Sequence, residues 1–63
     1  MLLIGQRFRR PNGSVYIIEN FWWQNGEIVG VDMIDDTGKK FTDLPLKWLE
    51  DKIKSGELER LLR

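Results

Sequence analysis

Short segments rich in Val, Ile, Tyr, Phe and Trp alternate with turn signals through the first two-thirds of this chain. The turn signals are Pro11-Asn12-Gly13, Gln24-Asn25-Gly26 and Asp35-Asp36-Thr37-Gly38. β-Branched and aromatic runs punctuated in this way predict an antiparallel meander. Asn25-Gly26 is the preferred dipeptide of a two-residue type I′ hairpin. That turn pairs Trp23 with Ile28, Trp22 with Val29, Phe21 with Gly30, Asn20 with Val31 and Ile18 with Met33. One face then carries Ile18, Trp22, Val29, Val31 and Met33, with Asn20 as its polar exception, and is the expected core.

The other two turns lead to the same face. Asp35-Asp36-Thr37-Gly38 fits a type I turn followed by a glycine at positive φ, the three-residue hairpin with a bulge. This choice pairs Met33 with Phe41. Arg10-Pro11-Asn12-Gly13-Ser14 reads likewise and pairs Phe8 with Tyr16. A two-residue turn at Asp35–Gly38 would send Phe41 to the opposite side.

After Thr42 the period changes. Leu46, Leu49 and Ile53 recur as one stripe of a helix, with Asp43 as N-cap, Pro45 in the first turn and Ser55-Gly56 as the stop. The helix is expected over about 43–55. In the tail, Leu58, Arg60 and Leu62 could line one side of a closing fifth strand. The residue preferences there also suit a helix; the abrupt exit at Gly56 favours a strand or an extended tail. The expected fold is one domain over residues 1–63, mainly β with a C-terminal helix (α+β), its four to five strands curled into a small antiparallel barrel.

Composition narrows the chemistry. The chain has 63 residues and neither cysteine nor histidine. A domain of about 60 residues buries only about 60% of its unfolded surface, so packing depends on a few large side chains. Three Trp, three Phe and one Tyr provide them, and self-association is a further route to stability. Disulfides, thiolate nucleophiles and the usual zinc ligands are excluded, together with the commonest acid–base residue. A cytoplasmic setting is expected: Met1-Leu2-Leu3-Ile4 is too short for a signal-peptide core, and no later apolar run spans a bilayer. No cofactor is expected.

Charge is balanced, with ten basic and ten acidic residues. Arg7, Arg9 and Arg10 lie early, while Glu27, Asp32, Asp35 and Asp36 cluster in the middle. A protein coating long stretches of DNA would carry a basic excess, which is missing here.

The arrangement Gly5-x-x-Phe8, Gly13-x-x-Tyr16-x-Ile18, Asp36-Thr37-Gly38-Lys39, Phe41-Thr42 and Ile53-Lys54-Ser55-Gly56-Glu57-Leu58 resembles small SH3-like barrel proteins of phages and other mobile elements. The resemblance covers nearly the whole chain. Its marks are turn glycines and core aromatics, so it implies an SH3-like barrel and no particular activity. Length and plan are also similar to small archaeal chromatin proteins, but those are strongly basic and their activity is not carried over.

The acidic cluster lacks the alternating spacing and distal glutamate of a calcium loop, and Asp35 and Asp36 read as turn formers. Glu19 and Asp32 would face each other across the second hairpin, as a carboxylate pair does in glycosidases. Arg7 beside them and the lack of a cleft argue against catalysis. Gly30, in mid-strand opposite Phe21, marks a bend or a ring lying across it.

The second face of the sheet is expected to carry Arg7, Arg9, Ile17, Glu19, Phe21, Trp23, Ile28, Asp32, Ile34, Lys40 and Thr42. It is too apolar for open solvent. Either the chain's own helix covers it, through Leu46, Trp48, Leu49 and Ile53, or a partner does. Arg7, Arg9, Phe21, Trp23 and Ile28 are the candidate binding residues. The expected function is a non-catalytic binding module or small regulator acting through contact with another protein, of the kind mobile elements encode. The alternative is a nucleic-acid-binding SH3-like or OB-like barrel, with arginines on phosphates and aromatics on bases.

Overall fold

The computed structural model describes residues 2–61. Its elements are β1 (Arg7–Arg9), β2 (Val15–Gln24), β3 (Glu27–Asp35), β4 (Lys40–Pro45), α1 (Leu46–Ser55) and β5 (Glu59–Leu61). The strands form one antiparallel sheet in the order β4-β3-β2-β1-β5. β4 and β5 are its edges, and among the described residues no pairing joins them to close a barrel.

All three turns adopt the expected geometry. Asn25 and Gly26 have φ of 50° and 79°, the two positive values a type I′ turn needs. Gly38 has φ of 89° and donates its N–H to the Asp35 carbonyl at 3.0 Å, while Asp35 N–H reaches Lys39 O at 2.9 Å. The Asp35 carboxylate ties this turn internally, accepting from Thr37 N–H, Thr37 Oγ1 and Lys39 N–H at 2.6–2.9 Å. Phe8 pairs with Tyr16 and Met33 with Phe41, as expected.

The middle of the second hairpin departs from the expected register. Ile18 pairs with Met33 and Trp23 with Ile28, as the turn requires, but between them Asn20 pairs with Asp32, Phe21 with Val31 and Trp22 with Gly30. Glu19 is an extra residue on β2 and Val29 an extra residue on β3. Each bulge shifts the register by one, and the two cancel. The segment between them is therefore turned over. Phe21, expected on the second face, is half-buried against the core; Trp22 and Val29, expected in the core, are exposed. Glu19 and Asp32 do not face each other, because Asp32 lies opposite Asn20.

A third irregularity lies on β4, where Thr42 and Asp43 oppose the single residue Asp32. Asp43 takes φ of 54°, a left-handed conformation that aspartate tolerates better than most residues. Asp43 is therefore a bulge residue within β4, which runs on to Pro45, and not the helix N-cap. The helix starts at Leu46, with no side chain capping its first turn, and ends where Gly56 enters the left-handed region.

The buried core is Phe8, Ile18, Val31, Met33, Leu49 and Leu58. Leu46, Trp48 and Ile53 of the helix pack around it with Leu2, Tyr16, Phe21 and Leu44. Leu49 thus seats the helix on the Phe8–Met33 face. Of the two ways offered for covering the second face, the chain's own helix is therefore excluded, because Leu46, Trp48, Leu49 and Ile53 are spent on the core. The tail forms a fifth strand on β1, pairing Arg7 with Leu61, Phe8 with Arg60 and Arg9 with Glu59. Leu58 enters the core just before it; the expected role of Leu62 lies outside the described residues.

Candidate binding surface

β1 leaves β2 at Ile17 and β4 leaves β3 at Gly30, so the tip of the β2–β3 hairpin, from Trp23 round to Ile28, extends beyond both neighbouring strands. β1 pairs only with Val15–Ile17. From Ile17 to Trp23 is about 20 Å of strand at roughly 3.3 Å per residue. At the far end lie Phe21, Trp22, Trp23, Ile28 and Val29, capped by the Asn25-Gly26 turn.

Three of these are exposed: Trp23 at 63%, Trp22 at 44% and Val29 at 42% of their surface. Phe21 and Trp23 share a side of the strand and meet edge to face, with centroids 6.5 Å apart and planes at 82°. Ile28, half-buried, is the cross-strand partner of Trp23. Trp22 points the other way, opposite Gly30. Its ring lies beside the glycine, within 3.6 Å of where a Cβ would stand. The tip therefore shows aromatic surface on both sides.

Trp22 is also held in place. Its indole Nε1–H donates to Asp32 Oδ1 at 2.7 Å, and the same oxygen accepts the Asp43 backbone N–H at 2.7 Å. One carboxylate thus ties together β2, β3 and the bulge of β4. These donors hold the Asp32 carboxyl below the usual aspartate range; the Asp43 N–H is the largest cause and the Trp22 N–H the next. A tryptophan fixed in this way loses less side-chain freedom on meeting a partner than a free one.

Of the residues expected to form the site, the structure brings Phe21, Trp23 and Ile28 together. It leaves Arg7 and Arg9 at the opposite end of β2. Arg9 is engaged there by Glu59 of β5, through Nε at 3.1 Å and through Nη2. Arg7 lines a shallow concavity of about 360 Å³ with Leu3, Ile4, Gly5, Gln6 and Leu61. Trp22 and Val29 are the members that the expected register concealed. The signal for them was Gly30, since a glycine inside a strand often accompanies a bulge.

Asp32 serves the backbone and an indole, Asp35 closes its own turn, and Asp36 is exposed. Among the described residues no three His, Cys, Asp or Glu side chains converge to hold a metal ion. No described helix is long and apolar enough to cross a membrane. Comparison with protein-family models, curated proteins and solved structures gives no match to this chain.

Proposed function

We propose that this protein is a non-catalytic binding module that grips another protein with the tip of its β2–β3 hairpin. The observation that carries the reading is the pair of adjacent exposed tryptophans, Trp22 and Trp23, on opposite sides of one projecting hairpin. Tryptophan is the residue most enriched among interface anchors, because it buries a large area at a small cost in side-chain freedom. Phe21, Ile28 and Val29 extend the apolar patch around them. Neutral net charge suits a protein partner better than a nucleic-acid backbone. In this reading the chain acts as a small cytoplasmic regulator of a larger protein.

The test is capture from a lysate of the native host on the immobilised protein, after nuclease treatment, beside a Trp22→Ser/Trp23→Ser variant. A defined protein retained by the parent and lost from the variant supports the reading. Equal retention by both, or recovery of nucleic acid alone when nuclease is omitted, overturns it.

A further inference from the structure

A second surface stands apart from the hairpin tip. Where α1 crosses the sheet, Tyr16, Met33, Phe41, Leu44 and Trp48 line an apolar recess of about 90 Å³. Beside it lies a second hollow of about 210 Å³, which shares Tyr16 and Trp48 and adds Arg10, Lys52, Glu57 and Leu58. Tyr16 and Phe41 meet edge to face at the recess, with centroids 5.2 Å apart. Cations rim it. Arg10 lies over the Tyr16 ring at 5.6 Å and Lys39 over the Phe41 ring at 5.3 Å.

Lys52 is neutralised by Glu57 at 2.7 Å. Arg10 and Lys39 form no ion pair among the described residues. Asp35 feels the charge of Lys39, but its carboxylate is already committed to Thr37 and Lys39 backbone donors. Two cations outside any ion pair thus flank an apolar recess. Their chemical complement is an apolar side chain with carboxylates on either side.

We infer that this groove takes an extended acidic peptide, seating one aliphatic side chain in the recess and its carboxylates against Arg10 and Lys39. The dimensions agree with that occupant. About 90 Å³ is some three waters' share of liquid at about 30 Å³ each, the scale of a small aliphatic group. Nucleic acid is the poorer fit, because a stacking base needs an open ring face. The faces of Tyr16 and Phe41 already carry cations.

The experiment is an amide and indole chemical-shift titration of the isotope-labelled protein with Ac-Glu-Glu-Leu-Glu-Glu-amide. Parallel titrations use the Leu→Gly peptide, the all-lysine counterpart Ac-Lys-Lys-Leu-Lys-Lys-amide and an eight-residue oligothymidylate. The groove reading expects saturable shifts confined to Tyr16, Phe41, Leu44 and Trp48, including the Trp48 indole N–H. It expects at least tenfold weaker binding for the glycine and lysine peptides. Arg10→Glu and Lys39→Gln change exposed side chains and leave the core intact; each is expected to weaken the acidic peptide several-fold. No shift at millimolar acidic peptide overturns the inference. So does equal binding of the glycine peptide, or tighter binding of the oligonucleotide at the same residues. Shifts at Trp22 and Trp23 alone would place the peptide on the hairpin and equally overturn it.

Discussion

Trp22 and Asp32 are joined across the β2–β3 hairpin by a 2.7 Å hydrogen bond from the indole Nε1–H to Asp32 Oδ1. Two bulges make this bond. Without the extra Glu19 and the extra Val29, Trp22 would point into the core and Asp32 would face Glu19. With them, Trp22 and Asp32 emerge on the same outer side, and Asp32 reaches on to the β4 bulge at Asp43. A single carboxylate fixes the orientation of the hairpin that carries the proposed binding surface.

Stability should therefore depend on the ionisation of Asp32. Its folded value is depressed, chiefly by the Asp43 N–H and then by Trp22. An aspartate with a depressed folded value stabilises the fold above its unfolded value of about 4. That contribution is lost as pH falls through the folded value. Asp35, held down first by Thr37, and Glu57, held down first by Lys52, act in the same direction. Urea midpoints measured at about pH 5 and about pH 3 should fall for the parent, and fall less for Asp32→Asn. Equal falls for the two proteins would contradict the role given to Asp32.

Gly30→Ala tests the close approach beneath Trp22. A Cβ there would stand 2.9 Å from the Leu44 carbonyl oxygen, a backbone atom that cannot swing aside. Overpacking of this kind costs about 1–3 kcal/mol. The expected result is a lower urea midpoint with the slope unchanged. An alanine variant as stable as the parent would mean that β4 does not lie so close to Gly30.

Aromatic truncations should rank by burial. Phe8, fully buried, should cost about 3–5 kcal/mol on change to alanine, enough to unfold so small a domain. Trp23→Ala should cost about 1 kcal/mol or less, little more than its edge-to-face contact with Phe21. Trp22→Ala should fall between them. Thermal or urea unfolding of the three variants checks the order, and a Trp22 loss matching Phe8 would restore the unbulged register.

Turn chemistry was the legible part of the sequence. Asn25-Gly26, Gly38 and Gly13 act through local backbone preferences, and local preferences survive folding. The pairs Phe8–Tyr16, Ile18–Met33, Met33–Phe41 and Trp23–Ile28 followed from them. The bulges were hidden because they depend on tertiary packing. Phe21 gains burial against the core only if Glu19 slips, and strand alternation alone does not reveal that gain. Asp43 misled for a related reason: the property that makes aspartate a good N-cap also lets it adopt positive φ in a bulge. Of the candidate site, Phe21, Trp23 and Ile28 were legible as neighbours. Arg7 and Arg9 joined them only on paper: the Glu19 bulge turns Phe21 to the core side with Trp23 beside it, while Arg7 and Arg9 stay on the outer face at the other end of β2.

Gly38→Val should destabilise through the backbone alone. Nothing lies within 4 Å of the position a Cβ would take, so the cost comes from φ of 89°. Holding a non-glycine residue in such a conformation costs about 1–3 kcal/mol, and a β-branched residue lies at the upper end. A melting temperature equal to the parent's would be incompatible with the bulged turn.

If the hairpin tip is the anchor for another protein, the affinity for that partner depends on its tryptophans. Once the retained protein is identified, its binding to the parent, Trp23→Ala and Arg7→Ala is titrated calorimetrically at low and at physiological salt. Trp23→Ala is expected to weaken binding by about 2 kcal/mol or more, roughly thirtyfold, with only modest salt dependence and with Arg7→Ala near the parent. The opposite pattern would contradict it: Trp23→Ala binding as tightly as the parent, while Arg7→Ala lowers the salt slope by about one, as the loss of one phosphate contact does.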